Sequence, residues 1–134
     1  MIGSMPTDNF VDLILRAKHA QESDRDPLLA EYETPLVTVD LVVFTIQDNR
    51  LKVLLIQRKA PPYEHMWAIP GGFIHSGETL KEAAKRRLQE ETNATNIYLE
   101  QLHSFGEPGR DPRARVITVS HYALVSAEHL DLHA

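Results

Sequence analysis

The sequence predicts an α/β fold in which helices pack on a mixed β-sheet. Two apolar, β-branched segments at 36–46 and 51–59 flank the turn QDNR, and together they predict a β-hairpin. Further along, a segment with helical spacing at 79–92 is followed by two strand-like segments at 97–105 and 115–126. This order of strands and helices, with a helix in front, indicates a mixed sheet packed by helices.

The segment before the first strand is expected to lie outside the sheet. Residues 1–4, MIGS, are typical of a cloning scar that precedes a native Met5. Residues 5–34 are expected to hold a helix and a linker, because apolar side chains recur at helical spacing over residues 8–21 before the break at ESDRDP. The predicted domain that carries the sheet therefore occupies residues 35–134.

The remaining elements follow from local pattern. The strand at 36–46 is almost continuously apolar, which is typical of a strand buried on both faces. The Pro-rich loop APPYEHMW separates the hairpin from a short third strand in WAIPGGF, which ends in a glycine turn. The helix at 79–92 carries its apolar residues on one face. Asn93 is the expected C-cap, since asparagine tolerates the left-handed conformation.

The composition of the chain limits the classes of function that are possible. The chain has 134 residues, which suits one domain, and its formal charge of −5 argues against nucleic-acid binding by this segment alone. It contains no apolar run long enough for a membrane span and no signal-peptide pattern. The absence of cysteine excludes disulfides and thiolate metal ligands, and it suits a reducing cytoplasm, which is the predicted location.

The segment GGFIHSGETLKEAAKRRLQEETNA, residues 71–94, carries the clearest chemistry. Its Gly-Gly turn allows the backbone to approach a ligand closely. Glu78 lies near the start of the following helix, and the adjacent Glu90 and Glu91 lie near its end. Paired carboxylates suit a hard cation such as Mg²⁺, which bridges phosphate oxygens and stabilises the charge of a displacement reaction. The segment therefore predicts a metal-dependent site that acts on phosphates.

The same segment resembles the Nudix box, which is a glycine, five residues, a glutamate, seven residues and then Arg-Glu-aliphatic-x-Glu-Glu-x-Gly-aliphatic. The matching positions are Gly72, Glu78, Arg86, Leu88, Glu90, Glu91 and Ala94. The resemblance covers about residues 35–126 and implies a Nudix α/β/α sandwich with a mixed sheet. A complete Nudix domain continues with another strand and a closing helix. Because the sequence is expected to lack both, we predict an exposed sheet edge, which a second copy could cover in a homodimer.

The resemblance also implies roles for individual residues. Gly72 would offer its carbonyl oxygen to a metal ion, and Glu90 and Glu91 would ligate Mg²⁺ or Mn²⁺. Glu78 would orient the junction of loop and helix and pair with Arg86. These two residues and the two later glutamates are therefore the candidate catalytic residues. Substrates of the family are nucleoside diphosphates linked to another group, which water cleaves at the pyrophosphate.

Two positions depart from the box. Asn93 replaces a glycine, which is a mild change, whereas Arg87 replaces the first glutamate of the Arg-Glu pair. In the family that carboxylate ligates the metal or orients the attacking water. Arg87 is four residues before Glu91, so the two are helical neighbours, and the guanidinium is expected to place a positive charge where the metal would sit. We therefore expect weakened metal binding and a loss of activity of about 10²–10⁴-fold, unless Glu82 or Glu107 supplies a replacement carboxylate.

A second segment, GEPGRDPRARV, resembles the GxPxRDPRxxxV pattern of ADP-ribose pyrophosphatases. The pattern also occurs in the Nudix-like domain of the NrtR-type bacterial regulators of NAD metabolism. Those regulators often have degenerate boxes, bind ADP-ribose or related ligands, and carry a C-terminal winged helix that binds DNA. Arg58, Arg110 and Arg113 are the candidate contacts to phosphate or ribose, since guanidinium groups bind phosphate oxygens in pairs. Phe105 is a candidate for stacking on adenine, and Trp67 is expected in the core more than at the ligand.

Three functions remain open from the sequence. The first is a Mg²⁺-dependent pyrophosphohydrolase of ADP-ribose or a similar nucleoside diphosphate derivative, weakened by Arg87. The second is the ligand-sensing domain of an NrtR-type regulator, which binds ADP-ribose without efficient turnover. The third is a structural relic that only dimerises.

Overall fold

The computed structural model describes residues 26–130. The predicted helix at residues 8–21 lies outside this range. Within it, no helix has the length and the hydrophobicity that crossing a membrane requires.

The architecture is a mixed sheet with one α-helix packed on it, so the predicted α/β class with a mixed sheet is confirmed. The strands in chain order are β1 (Leu36–Gln47), β2 (Arg50–Val53), β3 (Ile56–Gln57), β4 (Trp67–Ala68), β5 (Gly71–Phe73), β6 (Glu100–Phe105) and β7 (Val116–Leu124). Helix α1 spans Leu80–Thr92, and short 3₁₀ helices occupy Pro27–Leu29 and Ala127–His129. In the main sheet the order is β2-β1-β7-β6, with β5 also paired to β1, while β3 and β4 form a separate two-stranded sheet.

Strand β1 organises the main sheet. It pairs antiparallel with β2 and β5 and in parallel with β7, over a register that runs from Leu36 opposite Val116 to Phe44 opposite Leu124. Its buried apolar side chains form one core with the apolar face of α1 and with β7. The core residues are Leu41, Val43, Ala84, Leu88, Ala94, Leu99, Ala123 and Val125. Burial on both sides explains why this strand is almost continuously apolar.

Local sequence fixes both ends of helix α1. At the start, the hydroxyl of Thr79 accepts a hydrogen bond from the Glu82 amide at 3.1 Å, and the Glu82 carboxylate accepts one from the Thr79 amide at 2.8 Å. This capping box satisfies two amide groups that the helix cannot. At the end, Asn93 adopts a left-handed conformation with φ of 56°, as predicted. Because its carboxylate is held by the cap, Glu82 does not replace the missing carboxylate at position 87.

The predicted strands at 51–59 and 97–105 and in WAIPGGF are shorter in the structure than in the pattern. The first is interrupted after Val53, and its second half pairs with β4 instead of β1. WAIPGGF is divided at Pro70, because proline has no amide hydrogen for the ladder. Strand β6 begins only at Glu100, after Asn96 turns the chain with a positive φ of 56°.

Trp67 and strand β6 both lie at the edge of the domain. Trp67 is 65% exposed, so its expected place in the core is wrong, because it belongs to the small two-stranded sheet at the edge of the domain. Strand β6 is the outer strand of the main sheet and is exposed along its whole length. Its pairing with β7 shifts between Gln101 and His103, so that Leu102 has no partner opposite.

Candidate functional site

The box residues form a charged network where β5, the following loop and α1 meet. Arg86 binds Glu78 with two hydrogen bonds, from Nε at 2.8 Å and from Nη2 at 3.0 Å. Nη2 also donates to the Phe73 carbonyl oxygen at 3.2 Å, and the His75 amide donates to the Glu78 carboxylate at 2.8 Å. The predicted pairing of Glu78 with Arg86 is therefore confirmed, and it ties the loop to the helix.

This pairing shifts the ionisation of both partners. The hydrogen bonds from Arg86 and then from the His75 amide lower the pKa of Glu78 from 4.5 to about 2. In return, the hydrogen bond to Glu78 raises the pKa of Arg86 above its usual value. Glu78 is thus a fixed anion at neutral pH and carries no proton to give.

Arg87 occupies the other side of the network. Its Nη1 lies 2.6 Å from Oε2 of Glu90, and its Nη2 lies 2.9 Å from Oε1 of Glu91. The expected ion pair with Glu91 is confirmed, and the second one, with Glu90 three residues on, is an addition. Glu90 is also bound by Arg86, whose Nη1 lies 3.2 Å from Oε1. Two guanidinium groups therefore neutralise most of the charge of the three box carboxylates.

Gly72 lies directly against Arg87. A Cβ atom at Gly72 would come within 3.2 Å of Arg87 Nε and 3.3 Å of its Cδ, so the glycine gives the arginine room. The same Nε is buried and has no hydrogen-bond partner in the part of the chain that the structure describes. Arg87 is thus inserted among the box residues, and the alternative of a solvated surface side chain is excluded.

The carboxylates in this arrangement do not fit a divalent cation. Among residues 26–130, no three or more histidine, aspartate or glutamate side chains cluster so as to hold a metal ion. Both Glu90 and Glu91 bind the Arg87 guanidinium, and Glu78 binds Arg86. A hard cation would have to displace a guanidinium to gain two adjacent carboxylates. The predicted metal role of these glutamates and of the Gly72 carbonyl stays a prediction.

A cavity of about 280 Å³ opens on the other side of Gly72. The arginines predicted to contact ligand, Arg58, Arg110 and Arg113, all line it, although Arg58 is distant in sequence from the other two. The cavity therefore adjoins the box through Gly72, and three arginines and two aspartates line it. Phe105 is not among its lining residues and instead packs its ring against His103 at 4.7 Å.

Each arginine is held differently. Arg58 donates from Nε to the Pro62 carbonyl oxygen at 2.7 Å, and Arg110 donates from Nη2 to the Val116 carbonyl oxygen at 3.2 Å. Neither forms an ion pair with a carboxylate of the described residues, so both retain donors for an anion. Arg113 differs, because Asp111 accepts two hydrogen bonds from its guanidinium, at 3.0 and 2.8 Å.

Asp111 thus fixes one arginine of the cavity. It also accepts a hydrogen bond from the Arg113 backbone amide at 3.0 Å, which closes a turn before the strand. The Arg113 guanidinium lies 5.9 Å from the centre of the Phe73 ring. Hydrogen bonds from the Arg113 side chain, above all, lower the pKa of Asp111. The same aspartate therefore closes the turn and holds the Arg113 guanidinium in place.

One cavity residue was missed from the sequence. Asp40 lines the cavity from β1. The signal was present, because Asp40 is the one charged residue within the apolar segment LVTVDLVVFTI. A charge in a strand that is otherwise apolar needs a compensating partner or a function.

A larger cavity, of about 490 Å³, lies on the other side of β1. It is lined mainly by apolar side chains, among them Val43, Leu54 and Trp67, and among the described residues Lys52 is the one charged side chain of its lining. Recognition of a phosphate needs several convergent donors, which the smaller cavity offers and the larger one does not.

Known proteins resemble this chain over the region that carries the charged network of the box and the arginine-lined cavity. The family model for the NUDIX domain matches residues 35–132. The ADPR responsive transcriptional repressor NtrR of Acinetobacter baylyi is 40% identical over 99 residues, which are 72% of this chain and 40% of that protein. The ADP-ribose pyrophosphatase of Methanocaldococcus jannaschii is 41% identical over 88 residues, which are 66% of this chain and 50% of that protein. The chain thus spans half or less of the length of these relatives.

A solved structure agrees with the sequence relatives. The NUDIX domain of Shewanella oneidensis NrtR, solved as a complex with ADP ribose, superimposes with a TM-score of 0.69 and 36% identity. The match covers 87% of this chain and 76% of that one.

Proposed function

This chain belongs to the NUDIX domain family, and we propose that it binds the pyrophosphate of ADP-ribose or of a related nucleoside diphosphate derivative in the arginine cavity. We propose further that Arg87 weakens the hydrolysis that the box would otherwise support. The observation that carries both statements is the position of Gly72, which separates a cavity with free guanidinium donors from a carboxylate pair neutralised by Arg87.

The chemistry of the cavity supports the choice of ligand. Arg58 and Arg110 present guanidinium groups without a carboxylate partner among the described residues, and guanidinium groups bind phosphate oxygens through two hydrogen bonds each. Two relatives are named for ADP-ribose, one as a repressor and one as a pyrophosphatase. A diphosphate with attached sugars is therefore a suitable partner, in agreement with the sequence-based prediction.

The charges around Arg87 support weak hydrolysis. Nudix hydrolases generally use divalent metal ions. Here Arg87 supplies a fixed positive charge within hydrogen-bond distance of both Glu90 and Glu91. We propose that Mg²⁺ or Mn²⁺ binds this chain weakly, because the cation must compete with a guanidinium already in place. Glu107 does not compensate, since it lies in the exposed loop after β6 and lines neither the network nor the cavity.

A second candidate function is supported by the same geometry. A domain that keeps the ligand cavity and loses efficient turnover is suited to sensing, and the repressor from Acinetobacter baylyi is a relative of this chain. We propose ADP-ribose sensing in an NrtR-type regulator as the alternative to slow hydrolysis. In that case this segment binds the small molecule, and DNA contacts belong to other parts of a longer protein, since the formal charge here is −5.

The decisive experiment measures binding and turnover separately. Calorimetric titration with ADP-ribose tests the ligand, and Mg²⁺-dependent release of AMP tests the reaction. We expect native protein to bind ADP-ribose, and we expect Arg87→Glu to release AMP at least about 10²-fold faster than the native chain. Lys85→Glu, the same change of charge at an exposed position of α1, is the matched control.

Each outcome bears on one statement. Turnover by the native chain equal to that of Arg87→Glu would show that Arg87 does not disable the site. Binding without turnover in the native chain supports the sensor, and the absence of binding overturns the choice of ligand.

Two further predictions concern the setting of the domain. A homodimer remains a prediction, which small-angle scattering at micromolar concentration tests, and a monomer at that concentration overturns it. Cytoplasmic location also remains a prediction, tested by fractionation of cells that express the native gene.

A further inference from the structure

We propose that Asp40 selects the ligand of the cavity by accepting a hydrogen bond from a ribose hydroxyl and by repelling phosphate anions that lack a sugar. This inference rests on the proposed function, because it concerns the same cavity. It adds a residue that neither the Nudix box nor the arginine segment contains.

The backbone is built to admit the Asp40 side chain. Asp40 lies on β1 opposite Gly71 of β5. A Cβ atom at Gly71 would collide with Oδ1 of Asp40 and would lie 2.8 Å from the Val39 carbonyl oxygen. Only glycine therefore leaves space at this position for the carboxylate to face the cavity, and any other residue would force it away.

One oxygen of the carboxylate is fixed and the other is open. The Thr118 hydroxyl, on the neighbouring strand β7, donates to Oδ2 of Asp40 at 2.5 Å. No donor among the described residues binds Oδ1, and no described lysine, arginine or histidine forms an ion pair with Asp40. This is unusual in a cavity that three arginines line. The carboxylate is thus oriented by Thr118 and keeps acceptor capacity directed at a ligand.

An ionised carboxylate only accepts hydrogen bonds, so its partner must be a donor. Within a nucleoside diphosphate derivative, the ribose hydroxyls are the nearest donors to the pyrophosphate that the arginines attract. An acidic side chain binding a ribose hydroxyl is a recurrent solution in nucleotide recognition. The cavity of about 280 Å³ holds part of such a ligand, namely the pyrophosphate and an adjoining ribose, which the arginines and Asp40 would contact.

The negative charge of Asp40 also acts against the wrong ligand. Inorganic pyrophosphate offers charge to the arginines but no ribose hydroxyl to Asp40, and its high negative charge is repelled by the Asp40 carboxylate. Removal of the charge of Asp40 should therefore lower the affinity for ADP-ribose and raise the affinity for pyrophosphate. If Asp40 only maintained the fold, its replacement would lower the affinity for both ligands.

The test is calorimetric titration of native chain and of Asp40→Asn with ADP-ribose and with inorganic pyrophosphate. We expect the variant to bind ADP-ribose about tenfold more weakly, the usual effect of losing one hydrogen bond to a charged group, and to bind pyrophosphate more tightly. Asp48→Asn is the matched control, because Asp48 lies in the exposed turn between β1 and β2 and its positive φ of 53° suits asparagine. It should change neither affinity.

A ligand-side experiment covers the case in which Asp40→Asn does not fold. Native chain is titrated with analogues of ADP-ribose that each lack one ribose hydroxyl, and we expect one of them to bind about tenfold more weakly than ADP-ribose. Equal affinities for ADP-ribose and all of these analogues overturn the proposal. The proposal is also overturned if Asp40→Asn changes the affinities for ADP-ribose and pyrophosphate in the same direction, or changes neither. If native chain binds neither ligand, the proposed function fails as well, which is a distinct result.

Discussion

Replacement of Arg87 by glutamine should make the stability of the domain depend on Mg²⁺. In the native chain the guanidinium forms ion pairs of 2.6 and 2.9 Å with Glu90 and Glu91. Arg87→Gln removes both pairs and leaves two adjacent carboxylates with less compensation, although Arg86 still contacts Glu90. Without Mg²⁺ we therefore expect Arg87→Gln to be less stable than the native chain, and with Mg²⁺ we expect it to regain the lost stability.

The magnitude follows from the exposure of the partners. The side chains of Arg87 and Glu91 are 20% and 21% exposed and that of Glu90 is 40% exposed, so solvent screens these pairs only in part. Pairs at a protein surface contribute about 0.2–1 kcal/mol each, and these belong near the upper end. The buried Nε of Arg87, which has no hydrogen-bond partner among residues 26–130, offsets a fraction of that gain. The net loss is about 1 kcal/mol, or roughly 4 °C in the midpoint of unfolding for a domain of this size.

The assay is thermal unfolding followed by circular dichroism, with Mg²⁺ and with a chelator. A ligand at about 100 times its Kd stabilises the folded state by about 2.7 kcal/mol, so Mg²⁺ should return Arg87→Gln to the native midpoint or above it. The native midpoint should change far less. Lys85→Gln, at an exposed position of the same helix, is the control. The reasoning is refuted if Mg²⁺ stabilises native chain and variant equally, or if it stabilises neither.

Three other changes test separate parts of the structure. Leu88→Ala should lower the free energy of unfolding by about 2–5 kcal/mol in urea titrations, because Leu88 is 2% exposed in the core, and a loss well below 1 kcal/mol would contradict that position. Because the pKa of Glu78 falls from 4.5 to about 2 on folding, the native chain should lose stability as pH falls through that interval, when the unfolded state takes up the proton first. Glu78→Gln should flatten this slope, and equal slopes in urea unfolding would contradict the pairing with Arg86. Arg110→Ala should weaken ADP-ribose binding about tenfold in calorimetry while its unfolding midpoint stays near the native one, and unchanged affinity would remove this residue from the site.

Features that depend on neighbours along the chain were predictable from the sequence. The hairpin around QDNR, the left-handed cap at Asn93 and the ion pair of Arg87 with Glu91 all follow from spacing within a few residues. Resemblance to the Nudix box supplied the pairing of Glu78 with Arg86. Short-range geometry leaves little freedom at these positions, so the sequence pattern alone was enough to predict them.

Features that depend on contacts across the fold were not predictable in the same way. Trp67 was expected in the core because of its size, yet its strand pairs in a small outer sheet. Arg58 and Arg110 are far apart in sequence, and only the packing of β3, β5 and the loop before β7 brings them to one cavity. The sequence marks Asp40 as a lone charge in an apolar strand, but its position beside Gly71 of another strand becomes visible only in the fold.

The irregular pairing of β6 bears on aggregation. An exposed outer strand offers unpaired amide and carbonyl groups, to which other chains can add in an open-ended stack. Leu102 interrupts the ladder between Gln101 and His103, and bulges of this kind twist a strand away from the flat geometry that stacking requires. A second chain could therefore continue the sheet only over the short regular stretches on either side. The interruption works against fibril growth, and deletion of Leu102, which would restore regular pairing, should make the protein aggregate sooner.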